Sequence, residues 1–501
     1  MLQEVLYFLS GFAILFYVYM TWNFDYWKKQ RIPSPAPRFL LGNLPSSITQ
    51  KRFLGYEIDD LYKEFKDRYG FIGYWSTRSP SILIIDPESV KEVLIKNFRS
   101  FADNSFAEFV DKESDPIFAR NPFMLTGTEW KEKRAEITPA FTTNRIKTMY
   151  PVVEDVCATM NDYIRRENKT NIEGLEAKEL SAKYTTDVVS NCIFGVDAGS
   201  FKTEKPIIRE MSKELFAPSI RIIIYFILLT IIPGLRKFFK MSFVPKKVEK
   251  FFVGIMKEAI AFRRKTNLDR FDYLHYLLEL KDKKNLNELD LVAHAVTFFL
   301  DGFETSSIAL SFTLYELARN KKAQDKLRKE IKETLAKHGK INHDVVSEMP
   351  YLDQVFMESL RLYPPAVLLS KITTEKCELK LTEGEYRTIE PKIEVIVPVY
   401  SLHRDPQHYN DPHEFIPERF DPENGGVKHF RDKGVFLPFG DGPRICLGQK
   451  FALAQVKAAI VSLVNDFEID VNPKTKSEII FDPKQFLIYP LGGLWLNFKE
   501  L

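Results

Sequence analysis

The chain has 501 residues, long enough for a large buried core, and its 71 Lys+Arg against 68 Asp+Glu leave a net charge of only +3, without the strongly basic balance that nucleic-acid binding demands. Hydrophobic residues make up 45% and charged ones 28%, the proportions of a folded globular chain rather than a disordered one. Cys157, Cys192, Cys377 and Cys446 are far apart and show no CxxC spacing, which argues against a disulfide framework or a zinc site and suits a reducing, cytosol-facing compartment.

From Val5 to Trp22 the sequence "VLYFLSGFAILFYVYMTW" runs about 18 residues without a charge, close to the minimum for a bilayer span. A cleaved signal peptide is the competing reading, but no basic segment precedes the run and no small-x-small site ends it. The pattern predicts a retained transmembrane anchor over residues 1–27, and Lys28, Lys29 and Arg31 place the rest of the chain on the cytosolic side. Residues 28–38 form a basic, proline-rich linker. Its Pro33, Pro35 and Pro37 are expected to make a stiff extended spacer that holds the domain off the membrane. The remainder, 39–501, reads as one continuous domain.

Apolar residues at three-to-four spacing predict helices over Ser89–Lys96, Trp130–Met149, Val152–Arg166, Ala177–Phe194, Lys246–Thr266, Asp290–Arg319, Lys322–His338, Leu352–Leu362 and Cys446–Phe467. Short β-like runs, "FIGYWS", "SILII", "IEVIVPV" and "GGLWLNF", sit near the ends of the chain. The fold class is therefore mainly α with small β-sheets (α+β). Asp290–Arg319 is apolar nearly all round, which predicts a helix buried on most faces. His294, Asp301 and Glu304 interrupt its middle and disfavour a second membrane span. The run from Ile220 to Gly234 holds only about a dozen apolar residues, too few to cross a bilayer. It fits equally a core helix and a monotopic segment dipping into the membrane.

One cysteine is set with particular care, in "FLPFGDGPRICLGQKFA", Phe436 to Ala452. A thiolate is a soft, electron-donating ligand, and a helix N-terminus lowers its pKa. Gly440, Gly442 and Gly448 allow close backbone approach, Pro443 stiffens the turn, and Phe436, Leu437 and Phe439 keep water away. Arg444 is placed to reach a carboxylate carried by a cofactor. Together these suit an iron held by sulfur. The string Phe439-x-x-Gly442-x-Arg444-x-Cys446-x-Gly448 resembles the haem-binding loop of the cytochrome P-450 family, the haem-thiolate monooxygenases.

The resemblance runs from about Pro33 to the C-terminus. Glu358 and Arg361 in "MESLRLYPP" are similar to the family's Glu-x-x-Arg helix, and Arg419 in "FIPERF" to its partner. "GTEWKEKRAEITPAFT" resembles the Trp-x-x-x-Arg helix, which implies that Trp130 and Arg134 donate to one haem propionate. Lys371 stands where relatives usually carry arginine; a lysine still neutralises a propionate but lacks the bidentate fork. "LDGFETSS" resembles the oxygen-activating motif. It implies that Gly302 makes room for oxygen, that Thr305 supplies a hydroxyl, and that Glu304 relays a proton through water. Thr305 read on its own is a threonine that bonds back onto its helix. Asp301 replaces the usual alanine and either faces a polar network or narrows the pocket in favour of a basic or hydroxylated ligand.

Within the family the chain most resembles the animal microsomal type, and "FETSS", "TPAFT" and "HRDPQHYNDPHEF" look like insect detoxification members. The resemblance implies iron protoporphyrin as cofactor. It also implies insertion of one oxygen atom into an apolar xenobiotic or an endogenous lipid or hormone, on the cytosolic face of the endoplasmic reticulum membrane. No GxGxxG dinucleotide fingerprint is evident, so electrons from NADPH are expected through a separate reductase, with cytochrome b5 as a further donor. Lys131, Lys133, Arg134, Lys428, Arg431, Lys433 and Lys450 are candidates for its docking patch. Substrate-pocket walls are expected from Ala102–Phe123, Leu215–Ile232, His294–Thr305, Val367–Ile372 and Phe486–Tyr489. The alternatives are a reductase-independent peroxide-rearranging enzyme and a non-enzymatic haem-binding sensor.

Overall fold

The segment that is apolar on every face becomes a single helix of 32 residues, Glu288–Arg319, about 48 Å long at 1.5 Å per residue. Asn287 caps it by accepting the Asp290 amide at 2.8 Å. Leu291–Leu300, Phe303 and Ser306–Ala318 are all buried, so the helix is the axis around which the rest is built. The helix Ala177–Phe194, buried along most of its length, lies against it. Polar side chains in this interior are satisfied locally: Gln455 Nε2 donates to Ser306 Oγ at 2.9 Å and Thr313 Oγ1 to Ser359 Oγ at 2.9 Å.

This computed structural model describes every residue except Asn171, Ile172, Pro218, Pro233, Arg236, Lys237, Asn267, Leu268 and Asp269. Among the described residues nine strands form three small sheets: β1 (Phe71–Ser76), β2 (Ser79–Ile84), β3 (Leu175–Glu176), β4 (Leu369–Ile372), β5 (Cys377–Thr382), β6 (Glu385–Ile389), β7 (Glu394–Val397), β8 (Phe467–Val471) and β9 (Trp495–Glu500). The first sheet runs β1-β2-β7-β4, the second β3-β9-β8, and β5-β6 is a hairpin. The β2–β7 pairing is parallel, with Ile82 opposite Val395. The mainly helical class expected from the sequence holds.

Helices Ala177–Phe194 and Lys246–Thr266 have the predicted bounds. The sequence pattern misplaces one break. Gly127–Ile137 ends in a 3₁₀ turn over Thr138–Phe141, and the next helix then runs unbroken from Thr143 to Thr170 through Pro151. Pro139 opens that turn, whereas Pro151 gives up one N–H inside a helix long enough to absorb the loss. The last predicted helix starts at Gln449 rather than Cys446, leaving the cysteine in the loop before its first turn.

Leu2–Thr21 is a 20-residue helix with only Met20 buried, long enough to cross a bilayer. The expected stiff spacer behind it is not there. Trp27 is buried and donates its Nε1 to Tyr74 O at 3.0 Å. A Cβ on Gly73 would come within 2.4 Å of the Trp27 ring, so glycine is required. Gly73 N donates to Pro33 O at 2.9 Å, and Ile32 is buried. Residues 27–33 are thus laid along β1 because Trp27 and Ile32 have apolar surface to bury.

The short apolar run forms a helix, Ile220–Ile231, parted from Ile207–Phe216 at Ala217, whose backbone is extended. Pro233 in that run lies outside the described residues. Only Leu229 of the helix is buried, while Ile220, Ile224 and Leu228 are exposed. Tyr19 OH, at the end of the N-terminal helix, donates to Ile231 O at 3.1 Å. The core-helix alternative therefore fails.

Candidate functional site

Cys446 and Asp301 share an unusual environment: protein surrounds each on all sides, yet each presents accessible surface. Both therefore line internal space, and the Asp301 charge is felt at the cysteine. The cysteine loop and the middle of the long helix face each other across one cavity. Two surface grooves lie apart from Cys446 and Asp301. The larger of the two, about 610 Å³, is lined by Lys91, Lys428, Arg431 and Asp441 and touches the loop at Asp441 without reaching the cysteine.

The loop is locked by its backbone. Cys446 N donates to Phe439 O at 2.8 Å, and Phe436 and Leu437 are buried beneath it with Phe439 half-buried. Gly442 has φ +68°, and a Cβ there would stand 1.9 Å from Leu94 O. Gly442→Ala therefore combines left-handed strain of about 1–3 kcal/mol with a backbone collision. The variant is expected to lose most of its bound cofactor and to melt at lower temperature, read by absorbance ratio and thermal denaturation.

Burial pushes the Cys446 thiol up to about 11, outweighing the Gly448 and Gln449 amides that favour the thiolate. The sequence-based expectation of a lowered pKa is thus reversed for the chain alone. A helix N-terminus stabilises the anion, but desolvation costs more, so ligation to a cation has to complete the ionisation.

Cations flank the same cavity. Arg444 is nearly buried, and its Nη2 bonds Leu125 O at 2.8 Å and Asp103 Oδ1 at 3.2 Å. Its guanidinium lies 4.2 Å above the Trp130 ring, and its Nε is buried without a partner. Arg134 Nη2 donates to Ile445 O at 2.5 Å. Lys371, on β4, is buried, and burial together with Arg444 lowers it to about 7. Burial likewise lowers Arg444 to about 10. Arg444 and Lys371 share the carboxylate of Asp103, and Arg134 beside Arg444 adds a further positive charge, which leaves room for more anions. That orphaned N–H and excess positive charge fit carboxylate arms on a flat metal-bearing ring held over Cys446, and Trp130, Arg134, Lys371 and Arg444 could bind them.

On the opposite wall Thr305 Oγ1 donates to Asp301 O at 2.8 Å, the back-bond its helical position allows. Glu304 does not stand free: Lys178 Nζ, buried in the neighbouring helix, lies 2.8 Å from its carboxylate. Gly302 faces Phe298 and Val189, where a Cβ would find ordinary contacts at 3.5 and 3.6 Å.

Glu358 and Arg361 sit at zero exposure. Arg361 Nε and Nη2 bond the two Glu358 oxygens at 2.7 and 2.8 Å, and Arg419 Nε adds a third bond at 3.1 Å. Arg361 Nη1 also reaches His403 O at 2.8 Å. His403 Nε2 accepts the Leu437 amide at 2.8 Å, so Nδ1 carries the proton and donates to Arg361 O at 3.1 Å. Burial holds His403 neutral by lowering its pKa to about 3. The imidazole thus ties the Glu-x-x-Arg helix to the cysteine loop.

The residues Asp103, Asn121, Lys178 and His403 were not singled out by sequence patterns. Each acts through a contact with a distant segment, and only His403, in the "HRDP" stretch, carries a local signal. The five expected wall segments do converge, and 102–123 touches all the others. Asp103 bridges Ile372, Tyr225 OH donates to Phe109 O at 3.5 Å, Asn121 bonds Asp301, and Phe106 packs edge-on to Phe486 at 5.1 Å. Of the seven basic residues expected at a docking patch, Arg134 turns inward, and Lys133, Lys428 and Arg431 are paired with Glu136, Asp432 and Asp441. Lys131, Lys433 and Lys450 are exposed.

Comparison with known proteins bears directly on this site. Residues 32–496 match the family model described as Cytochrome P450. The chain is 41% identical over 502 aligned residues to a probable cytochrome P450 28d1 of Drosophila melanogaster, covering 100% of this chain and 99% of that one. It is 42% identical over 485 residues to a probable cytochrome P450 28d2 of the same fly, covering 96% of each. To cytochrome P450 6k1 of Blattella germanica it is 33% identical over 523 residues, covering 100% of this chain and 97% of the other.

Proposed function

This chain belongs to the cytochrome P450 family of haem-binding monooxygenases, and from that premise we propose that it oxidises apolar small molecules, xenobiotic or endogenous lipid or hormone, with electrons from NADPH delivered by a separate reductase. When bound, haem supplies the activation of dioxygen, one atom going to substrate and the other to water. Cys446 is the iron ligand in this reading, Phe439 shields it, and Arg444, Arg134, Trp130 and Lys371 hold the propionates. Thr305 donates a proton from its hydroxyl into the cavity after turning away from Asp301 O, and Glu304, once its pairing with Lys178 opens and it has taken a proton from water, passes that proton on to the threonine.

The observation that carries the reading is the placement of Cys446 and the Asp301–Thr305 turn across one cavity flanked by Arg134, Lys371 and Arg444, the last with its Nε unpartnered. Thr305→Ala tests the proton step. Product formation is expected to fall by about a hundredfold while NADPH consumption persists and hydrogen peroxide accumulates. Full coupling in the variant would remove Thr305 from the mechanism. The whole reading is tested by reconstitution of purified protein with reductase and NADPH against a panel of apolar compounds. Turnover of a lipid hydroperoxide without NADPH would instead favour the peroxide-rearranging alternative, and peroxide release with every compound would favour the sensor.

An acidic reductase, with cytochrome b5 as a second donor, would meet the exposed Lys131, Lys433 and Lys450. The N-terminal helix anchors the chain in the endoplasmic reticulum membrane. Ile220, Ile224 and Leu228, with the exposed Phe238 and Phe239, enter the same bilayer as a monotopic segment. Their link to Tyr19 at the end of the anchor supports that placement.

A further inference from the structure

Asp301 has an uncompensated charge. Its side chain lines the cavity one helical turn before Thr305. Both carboxylate oxygens lie 3.2 Å from Asn121 Nδ2. Asn121 is buried, and its Oδ1 accepts the Phe123 amide at 2.8 Å. That second bond fixes which end of the amide faces Asp301, so the carboxylate is held in place rather than free to swing into a polar network. Other buried carboxylates of this protein have either a cation or several amides: Asp272 has Arg263 at 2.7 Å, Glu304 has Lys178 at 2.8 Å and Glu358 has Arg361 at 2.7 Å, while Asp115 accepts from the Phe118, Phe243 and Val244 amides. Among the described residues no lysine, arginine or histidine lies within ion-pair distance of Asp301, and Asn121 is the only group that favours its charged form. Burial accordingly pushes its carboxyl up to about 7.

A buried carboxylate with one amide partner keeps lone pairs directed into the cavity, and a cation entering there would restore its ionised form. The approach beside Asn121 is aromatic, with Phe106 between Phe123 and Phe486, and aromatic faces also favour a cation. We propose that Asp301, positioned by Asn121, is a specificity-determining residue that receives the protonated nitrogen of apolar amine substrates. This rests on the proposed reading of the cavity as the substrate site of a haem monooxygenase. An amine seated on Asp301 brings the carbons flanking its nitrogen to the turn that carries Thr305.

The test compares two probes on the holoenzyme by equilibrium dialysis at neutral pH: a dimethylaminopropyl benzene and the hydrocarbon in which CH replaces its nitrogen. The ratio of the two dissociation constants is the readout, because it cancels general changes in pocket volume. Asp301→Asn, which is isosteric, is expected to shift that ratio against the amine by about tenfold or more, the scale of one charge-assisted hydrogen bond. Asp301→Ala should shift it in the same direction. An unchanged ratio in both variants would overturn the proposal, as would a Soret shift showing the amine nitrogen on iron in wild type and variants alike. The red-shifted Soret band of the reduced carbon monoxide adduct separates the two levels. Its absence from the wild-type protein would sink the haem-thiolate reading, whereas its presence with an unchanged ratio sinks only the role of Asp301.

Discussion

Cys446→Ser is expected to abolish the red-shifted Soret band of the reduced carbon monoxide complex and to bring product formation below detection, while the protein still folds. The substitution exchanges one atom and leaves no void, so it incurs none of the cavity cost of a core truncation. The Cys446 N–H bond to Phe439 O belongs to the backbone and survives. What changes is the ligand. The thiol, raised to about 11 by burial, still lies within reach of ionisation by a bound iron cation. An alkoxide in the same dry loop is far more costly to form, and its hard oxygen lacks the electron donation that assists O–O cleavage. The measurement pairs thermal denaturation with the carbon monoxide difference spectrum. A variant that retains the band would show that another residue ligates the metal. A variant that fails to fold is distinguished from loss of ligation by Cys446→Ala, which probes the same position without an oxygen.

The sequence was most informative where one segment contains its own signal. The helix Ala177–Phe194 is bounded by Glu176, whose carboxylate accepts the Lys178 and Glu179 amides, and by Gly195 in the left-handed region; both caps are local. The cysteine loop was legible for the same reason, since the glycines that permit its turns adjoin the cysteine. Charges that reach across the fold were not. Glu304 reads as a free acid until Lys178 is found beside it, and Asp301 admits two readings until Asn121, 180 residues away, is seen to hold it. Pro33, Pro35 and Pro37 suggest a stand-off spacer because the rule for proline describes an isolated chain. Burial of Trp27 and Ile32 overrides it. The Cys446 pKa fails similarly: a helix N-terminus can be read from sequence, whereas desolvation depends on everything packed around the thiol.

Glu358→Ala decides whether the Glu-x-x-Arg pair is structural bedrock or an ordinary helical ion pair. At an exposed i,i+3 spacing such a pair is worth about 0.3–0.5 kcal/mol, and its loss would scarcely move a melting curve. Here Glu358 and Arg361 have no exposed side-chain surface, and Arg419 has 8%. Removing the carboxylate strands two guanidinium groups and also the Ile416 amide, which donates to Glu358 Oε1 at 2.9 Å. Breaking a buried pair from one side costs about 3–5 kcal/mol, a large fraction of the roughly 5–15 kcal/mol that holds a typical domain. Arg361 also spans His403 O, Pro412 O and Glu414 O, so its displacement would release His403 from the Leu437 amide and slacken the cysteine loop. The expected result is protein that is largely insoluble or cofactor-free, with any soluble fraction melting well below wild type. Glu358→Gln keeps an acceptor for the Ile416 amide but removes the charge, and its loss should be smaller and of the same sign. A wild-type melting temperature and full haem content in Glu358→Ala would mean that the arginines are compensated elsewhere and that the network does not hold the loop.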